Sequence, residues 1–420
     1  MLMPETVKAT AIVASTIVAP IIRCGHHLQA LWAKPTHPTL GTFRLSLAIM
    51  VFSSHVTYKA AHLFYYFSGI HAVVMFFITS GFLIGLAIER NYIGRTGEFI
   101  LNRFLRIYPS FWVVLGLTVL TIALHGGTTV KGADIAAVSV RDWGPMEALR
   151  ALPIVTGYPA TIWQPMKVAW SLQVELSFYI AVALLYWALN AHYGRNATAQ
   201  RGRGVLLGCY VALGIYVACA STIDLRFENP IAYIPDFVVG LAISRSVLNR
   251  DSAWVTWPLI GAAVFLSLLG FSHIVVTGGP HLRLFAPFSS FASRLSLDDG
   301  FNVQTLATLI GVFIACLLIK PGLRARRIDG FLGDLTHPLY LCHFAVLATM
   351  NQDFPSIPDE RRIWMSFAAA LLCAVLLCLF VDRPLMRLRA YIRKSALPPL
   401  RSIADLALAR SARARMSTEP

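Results

Sequence analysis

The 420-residue chain is 56% hydrophobic and only 14% charged, with a mean hydropathy of +0.63, whereas a soluble domain carries roughly 25% charge. Its net charge of +15 invites a nucleic-acid reading, but Lys and Arg cluster in short segments between apolar runs and in the C-terminal tail, without aromatic interleaving, so no nucleic-acid partner is expected. Apolar runs of about 20 residues recur from end to end, which excludes a β-barrel and predicts an all-α integral membrane protein, a polytopic bundle of about ten transmembrane helices.

In chain order, residues 1–42 form an N-terminal cytoplasmic or interfacial segment. Its stretch "TAIVASTIVAPII" (10–22) is short for a span, and its start is not basic enough for a signal peptide. It reads as an interfacial helix; an eleventh span would move the N-terminus outside. Ten spans follow, at 43–58, 70–88, 109–125, 170–190, 205–220, 231–247, 254–271, 303–320, 336–352 and 363–382. With the N-terminus inside, the inner segments hold 26 of the 36 Lys and Arg, so both termini are expected in the cytoplasm and the protein in a bacterial inner membrane. The transmembrane domain covers 43–385 and a basic cytoplasmic tail 386–420. The two long outer segments, about 126–169 and 272–302, are rich in Gly, Pro, Trp and mixed charge, as functional loops are. The inner "RNATAQRGRG" (195–204) reads as a solvated basic turn whose sequon faces the wrong side. The seven cysteines lie mostly in apolar segments without a CxxC pair; buried free thiols are expected, with neither disulfide nor zinc.

Ionisable residues inside spans mark candidate sites, because Arg at a helix centre costs at least ~2.5 kcal/mol. In "FRLSLAIMVFSSHV" (43–56), Arg44 and His55 are eleven residues apart, about three turns, hence on one face and ~16 Å apart along the axis. Arg44 alone reads equally as a snorkelling anchor, and His55 alone as a packing contact. Ser53 and Ser54, however, make the patch polar. In "FILNRFLRIYP" (99–109), Arg103 and Arg106 share a face at i, i+3 where the third span begins, with Tyr108-Pro109 marking the turn into it. Such a pair grips phosphates; the alternative is ordinary inner-side charge. In "AWSLQVELSFYI" (169–180), Glu175 lies ~7–8 Å deep from the outer end, the expected depth of His55, which it is placed to orient. Asp236 enters its span from the same side and ranks second. "LGDLTHPLYLCHFAV" holds His337, Tyr340 and His343; Tyr340 and His343 share a face, and each alone reads as packing. No His-x3-His or carboxylate pair favours a metal.

Together these stretches resemble the membrane-bound acyltransferase 3 family, over about residues 42 to 390. The matching pieces come in family order: "FRLSLAIMVFSSH" for the Arg-x10-His first span, "VMFFITSGFLIG" for the second, "RFLRIYPSFW" for Arg-x2-Arg, "WSLQVELSFY" for Trp-Ser-Leu-x2-Glu, "GDLTHPLYLCH" for Tyr-Leu-x-His, and "DRP" where the last span ends. Thr336-His337-Pro338 departs from the family's "SYS" and leaves His337 without a family role. The resemblance implies acyl transfer from a coenzyme A thioester on the cytoplasmic side, with His55 essential and Arg44, Arg103 and Arg106 serving the donor. Ser54, Ser80, Tyr340, His343 and Asp236 are secondary candidates, and Ser53, Ser54, Ser80 or Gln173 are candidate oxyanion donors.

The expectation is therefore an O-acyltransferase using acyl-CoA, acetyl-CoA being the commoner donor in the family. Its acceptor would be a hydroxyl of a surface polysaccharide or its lipid-linked saccharide precursor, and membrane lipids its surroundings. The rival is a glycolipid transporter or flippase, which would also bury ionisable residues at midplane, but the paired repeats and Gly/Pro-broken spans of transporters are absent.

Overall fold

The computed structural model describes residues 40–56, 69–125, 152, 166, 168–194, 197–222, 229–248, 253–277, 297–318 and 323–394. The 10–22 segment, nearly all of the first outer loop and the tail beyond 394 lie outside the described residues. All described elements are helical: α1 Gly41–Val56, α2 Gly69–Ala87, α3 Thr96–Leu124, α4 Ala169–Tyr193, α5 Thr198–Thr222, α6 Ile234–Leu248, α7 Ala253–Thr277, α8 Leu297–Leu318, α9 Leu323–Asp353, α10 Asp359–Leu377 and α11 Arg383–Lys394. Every expected span falls on one of α1–α10, and six helices among the described residues are long and apolar enough to cross a membrane. The chain is a polytopic helical bundle.

The two helices that fit lipid least are paired. The 16-residue α1 is short for a bilayer core, and the first half of α9 carries Arg324, Arg326, Arg327, Asp329 and Asp334. They touch backbone to backbone: a Cβ on Gly333 would stand 2.9 Å from the Gly41 Cα. Asp329 then caps α1 from outside its own sequence. Its carboxylate accepts from the backbone N–H of Gly41 (3.0 Å) and Thr42 (2.8 Å) and from Thr42 Oγ1 (2.8 Å), satisfying first-turn donors that have no partner within the helix. That cap fixes where Arg44 begins. A second close approach joins α2 and α6, where a Cβ on Gly240 would fall 1.9 Å from the Ile78 carbonyl oxygen; small residues let membrane helices pack at this distance.

Four sequence expectations change. Pro109 does not mark a turn: α3 runs unbroken through it for 29 residues, since losing one N–H leaves only the Leu105 carbonyl without its intrahelical donor, a defect membrane helices accommodate. The second outer loop is narrower, because α7 continues to Thr277 and α8 begins at Leu297. The 195–204 turn is not wholly solvated: Arg201 is 1% exposed, as is Arg245. Both donate to Glu89 (Arg201 Nη2 at 3.4 Å, Arg245 Nη1 at 2.5 Å). Glu89 sits on a π-helical turn, Ile88–Tyr92, that extends α2, so these cations lock α2, α5 and α6 together. Finally, α11 crosses the 385/386 boundary and docks on α3. Arg95 Nη2 donates to the Ile392 carbonyl (2.7 Å) and Asn102 Nδ2 to the Arg389 carbonyl (3.0 Å), while a second π-turn, Cys378–Asp382, redirects the chain from α10.

Candidate active site

The starts of α1 and α3, the end of α2 and all of α11 meet at one end of the bundle, the basic end. Here Arg44 (α1), Arg103 and Arg106 (α3) and Glu175 (α4) line a single cavity of about 720 Å³ including its open mouth. Its other walls are apolar, Phe76 and Leu83 among them, with Ser80, His337 and Tyr340 as polar points. Three guanidiniums therefore face one carboxylate in a low-dielectric pocket, an arrangement that attracts an anion.

Each charged group is held. Glu175 Oε1 accepts from Ser80 Oγ and from Tyr179 OH, both at 2.5 Å. The Arg103 guanidinium carbon lies 5.2 Å from the centroid of the Phe99 ring and 5.4 Å from that of Tyr179, within cation–π range of both. Its Nε is buried without a hydrogen-bond partner among the described residues. Tyr340 OH lies 2.6 Å from Ser171 Oγ and donates to the Val168 carbonyl at 3.2 Å, joining α9 to α4.

His55 lies apart from this cavity. It is exposed on α1, stacks on His343 with centroids 5.4 Å apart and planes at 28°, and meets the Phe344 ring edge-on at 5.7 Å. His343 is fully buried. Its Nδ1 is 2.8 Å from the Tyr340 carbonyl, which makes Nδ1 the protonated nitrogen and leaves Nε2 as the lone-pair side; Nε2 has no partner among the described residues. The Tyr340 ring, 5.8 Å from His343, connects the pair to the cavity. Ser54 Oγ donates to the Val51 carbonyl in its own helix at 2.8 Å.

The structure thus brings Arg44, Arg103, Arg106, Glu175, Ser80 and Tyr340 together, and separately His55 with His343. It does not bring Glu175 to His55: the carboxylate is engaged by Ser80 and Tyr179. The expected equal depth does not hold: Glu175 shares its cavity with Arg44, about three turns along α1 from His55. Asp236 belongs to neither group; it is buried and accepts from Ser267 Oγ.

A second chamber of about 730 Å³ opens beneath the first, lined by Asn102, Arg106, Asp334, Asp382, Arg389 and Arg393 among others. Arg106 and His337 line both chambers. Asp382 accepts from Ser110 Oγ, which gives the "DRP" element a physical role in tying the π-turn to α3. Sequence reading missed Tyr179, Asp329, Asp382 and Arg389. Tyr179 is four residues from Glu175, one helical turn, and so was within reach. Asp329 and Arg389 act across 287 or more residues and leave no local signal.

A helical membrane bundle with an arginine-walled cavity fits either a membrane enzyme or a carrier. Similarity to known proteins decides the class: the acyltransferase domain family matches residues 40–383, and the chain belongs to that family; it is an acyltransferase. It is 26% identical to the exopolysaccharide production protein ExoZ of Rhizobium meliloti over 79% of this chain and 94% of that one. It is 25% identical to nodulation protein 10 of Rhizobium leguminosarum bv. viciae over 66% and 72% respectively. No solved structure matches the chain.

Proposed function

We propose that this protein is an inner-membrane O-acyltransferase that moves an acyl group, acetyl in the first instance, from acyl-CoA to a hydroxyl of a surface polysaccharide or its lipid-linked precursor. The observation that carries the reading is the cavity in which Arg44, Arg103 and Arg106 face a single carboxylate, a fit for a polyanionic donor whose acyl end is thin and neutral. The name of the Rhizobium meliloti relative supports a polysaccharide acceptor.

In this reading the basic end is cytoplasmic. Arg44, Arg103 and Arg106 hold the donor. The Arg44–His55 face of α1 and the Tyr340–His343 face of α9 guide its thioester outward. His55 takes the proton from the acceptor hydroxyl as that oxygen attacks the thioester carbon; the carbon–sulfur bond breaks and the coenzyme A thiolate leaves. General-base catalysis of this kind contributes about 10²–10⁴-fold. Glu175 is a positioning residue: it holds Ser80 and Tyr179, and through Tyr179 the stacked Arg103.

The test is consumption of radiolabelled acetyl-CoA by the purified protein in nanodiscs with cell-envelope glycans as acceptor. Label appearing in the glycan with release of free coenzyme A is the expected result. Glycan movement with the thioester intact would make the protein a flippase and overturn the proposal.

A further inference from the structure

Among the described residues lining the two chambers, His337 leaves the whole hydrogen-bonding capacity of its side chain unspent. Both of its ring nitrogens are buried, and neither has a hydrogen-bond partner among the described residues. Leaving a polar atom buried and unpaired costs about 1–3 kcal/mol, and buried polar groups in native proteins are nearly always satisfied. His343, six residues on along the same helix, follows that rule at Nδ1; His337 does not. Its position accounts for the exception. With Arg106 it lines both the first cavity and the second chamber, so its ring stands where the two adjoin. The next residue, Pro338, lies inside α9 and removes the N–H that would bond to the Asp334 carbonyl, so polar backbone is freed one turn below the ring.

We propose that His337 recognises the amide-bearing arm of the donor at this junction. The inference rests on the acyl-CoA reading above. A neutral imidazole presents one N–H and one lone pair, and a secondary amide presents one C=O and one N–H: each satisfies the other. A donor reaching across both chambers sets its phosphates against Arg106 and the arginines on either side of it (Arg44 and Arg103 in the first cavity, Arg389 and Arg393 in the second), its secondary amides against His337, and its neutral thioester against the apolar walls at Phe76 and Leu83. A bare phosphate is a poorer match for the junction, because it uses no lone pair and Arg106 is already there to meet it.

The experiment measures binding and needs no acceptor. Coenzyme A, 4′-phosphopantetheine and adenosine 3′,5′-bisphosphate, the last without amides, compete against labelled coenzyme A on the protein in nanodiscs. His337→Phe keeps a flat ring and removes both hydrogen-bonding atoms. It should weaken coenzyme A and 4′-phosphopantetheine about tenfold, as loss of one to two neutral hydrogen bonds predicts, and leave the bisphosphate within twofold. His337→Asn, which restores a donor and an acceptor, should recover most of the loss, whereas Arg106→Met should weaken all three. Equal weakening of all three by His337→Phe, or none of any, overturns the proposal. If His337→Phe does not fold, His337→Ser takes its place: selective weakening of the two amide-bearing ligands supports the proposal, and an equal or absent effect on all three overturns it. Failure of the unsubstituted protein to bind coenzyme A would instead refute the donor reading itself.

Discussion

Arg103 offers the sharpest division between an ordinary inner-side charge and a donor ligand. Its guanidinium lies 5.2 and 5.4 Å from the centroids of two rings, Phe99 and Tyr179, and it lines the cavity with a buried Nε that has no hydrogen-bond partner among the described residues. Arg103→Lys keeps the charge and loses the flat face. Cation–π contacts in partly desolvated sites are worth about 0.5–2 kcal/mol, so coenzyme A affinity should fall roughly three- to thirtyfold. Arg103→Met keeps the apolar stem and loses the charge-assisted hydrogen bond to the donor, by itself worth about 1.5–3 kcal/mol, so the fall should be at least about tenfold to a hundredfold. Calorimetry on variants in nanodiscs reads the affinities, and membrane yield and thermal unfolding report insertion and folding. Arg103→Met binding coenzyme A within twofold of the unsubstituted protein would refute the donor role and return Arg103 to a topology anchor.

For His55, replacement by Gln fills the volume but cannot take a proton at neutral pH, so transfer should fall at least ~10²-fold with donor binding near normal; retention of a tenth of the rate would make His55 structural. Gly240→Ala, whose Cβ would lie 1.9 Å from the Ile78 carbonyl oxygen, should destabilise by at least the ~1–3 kcal/mol of an overpacked core, whereas Gly261→Ala, with nothing within 4 Å, should not; equal melting temperatures would deny the α2–α6 contact. His125, half-buried just past the end of α3, has its pKa raised, first by the Thr121 carbonyl (Nδ1 at 2.7 Å) and then by Asp353 (Nε2 at 2.6 Å). Both acceptors favour the charged ring, so the link to α9 is intact below the ordinary pKa of about 6.5 and lost as pH rises through the raised value. NMR titration should find that midpoint above the ordinary value and lowered by Asp353→Asn; an Asp353→Asn midpoint unmoved or raised would deny the pairing.

The spans were legible because the cost of burying polar groups in lipid writes the bundle directly into hydropathy. Helix ends were less legible where polar sequence continues a helix beyond the membrane, as α9 does from Leu323. The same cost exposed Arg44, Arg103, Arg106 and Glu175 as site candidates, since an ionisable residue in a span needs a reason. What residue counting does not carry is how far each helix is shifted along its axis against its neighbours: Glu175 lies level with Arg44, not with His55. His55 and Glu175 read as neighbours on depth, but their partners are His343 and the Ser80–Tyr179 pair. The second chamber required knowing that α11 folds back against Arg95 and Asn102, a contact between segments almost 300 residues apart.

That α1 and α9 are both poor membrane helices and are packed on each other through Gly41 and Gly333 follows from one requirement. A polar path through a bilayer must be lined on all sides by protein, so the helices that carry it face inward and the apolar helices surround them. On α9 the path is spelled at intervals of three: His337 at the junction of the chambers, Tyr340 on the cavity wall, His343 against His55. Six residues make a rise of about 9 Å. On α1, Arg44 to His55 spans ~16 Å, from the same cavity to the same histidine pair. The two stripes start beside one chamber and converge on His55, and a neutral chain threaded between them meets guanidinium, imidazole and phenol in that order. Three side chains on α9 at helical spacing, each ordinary as packing alone, lead from the cavity wall to the His55–His343 pair, where the proposed chemistry lies.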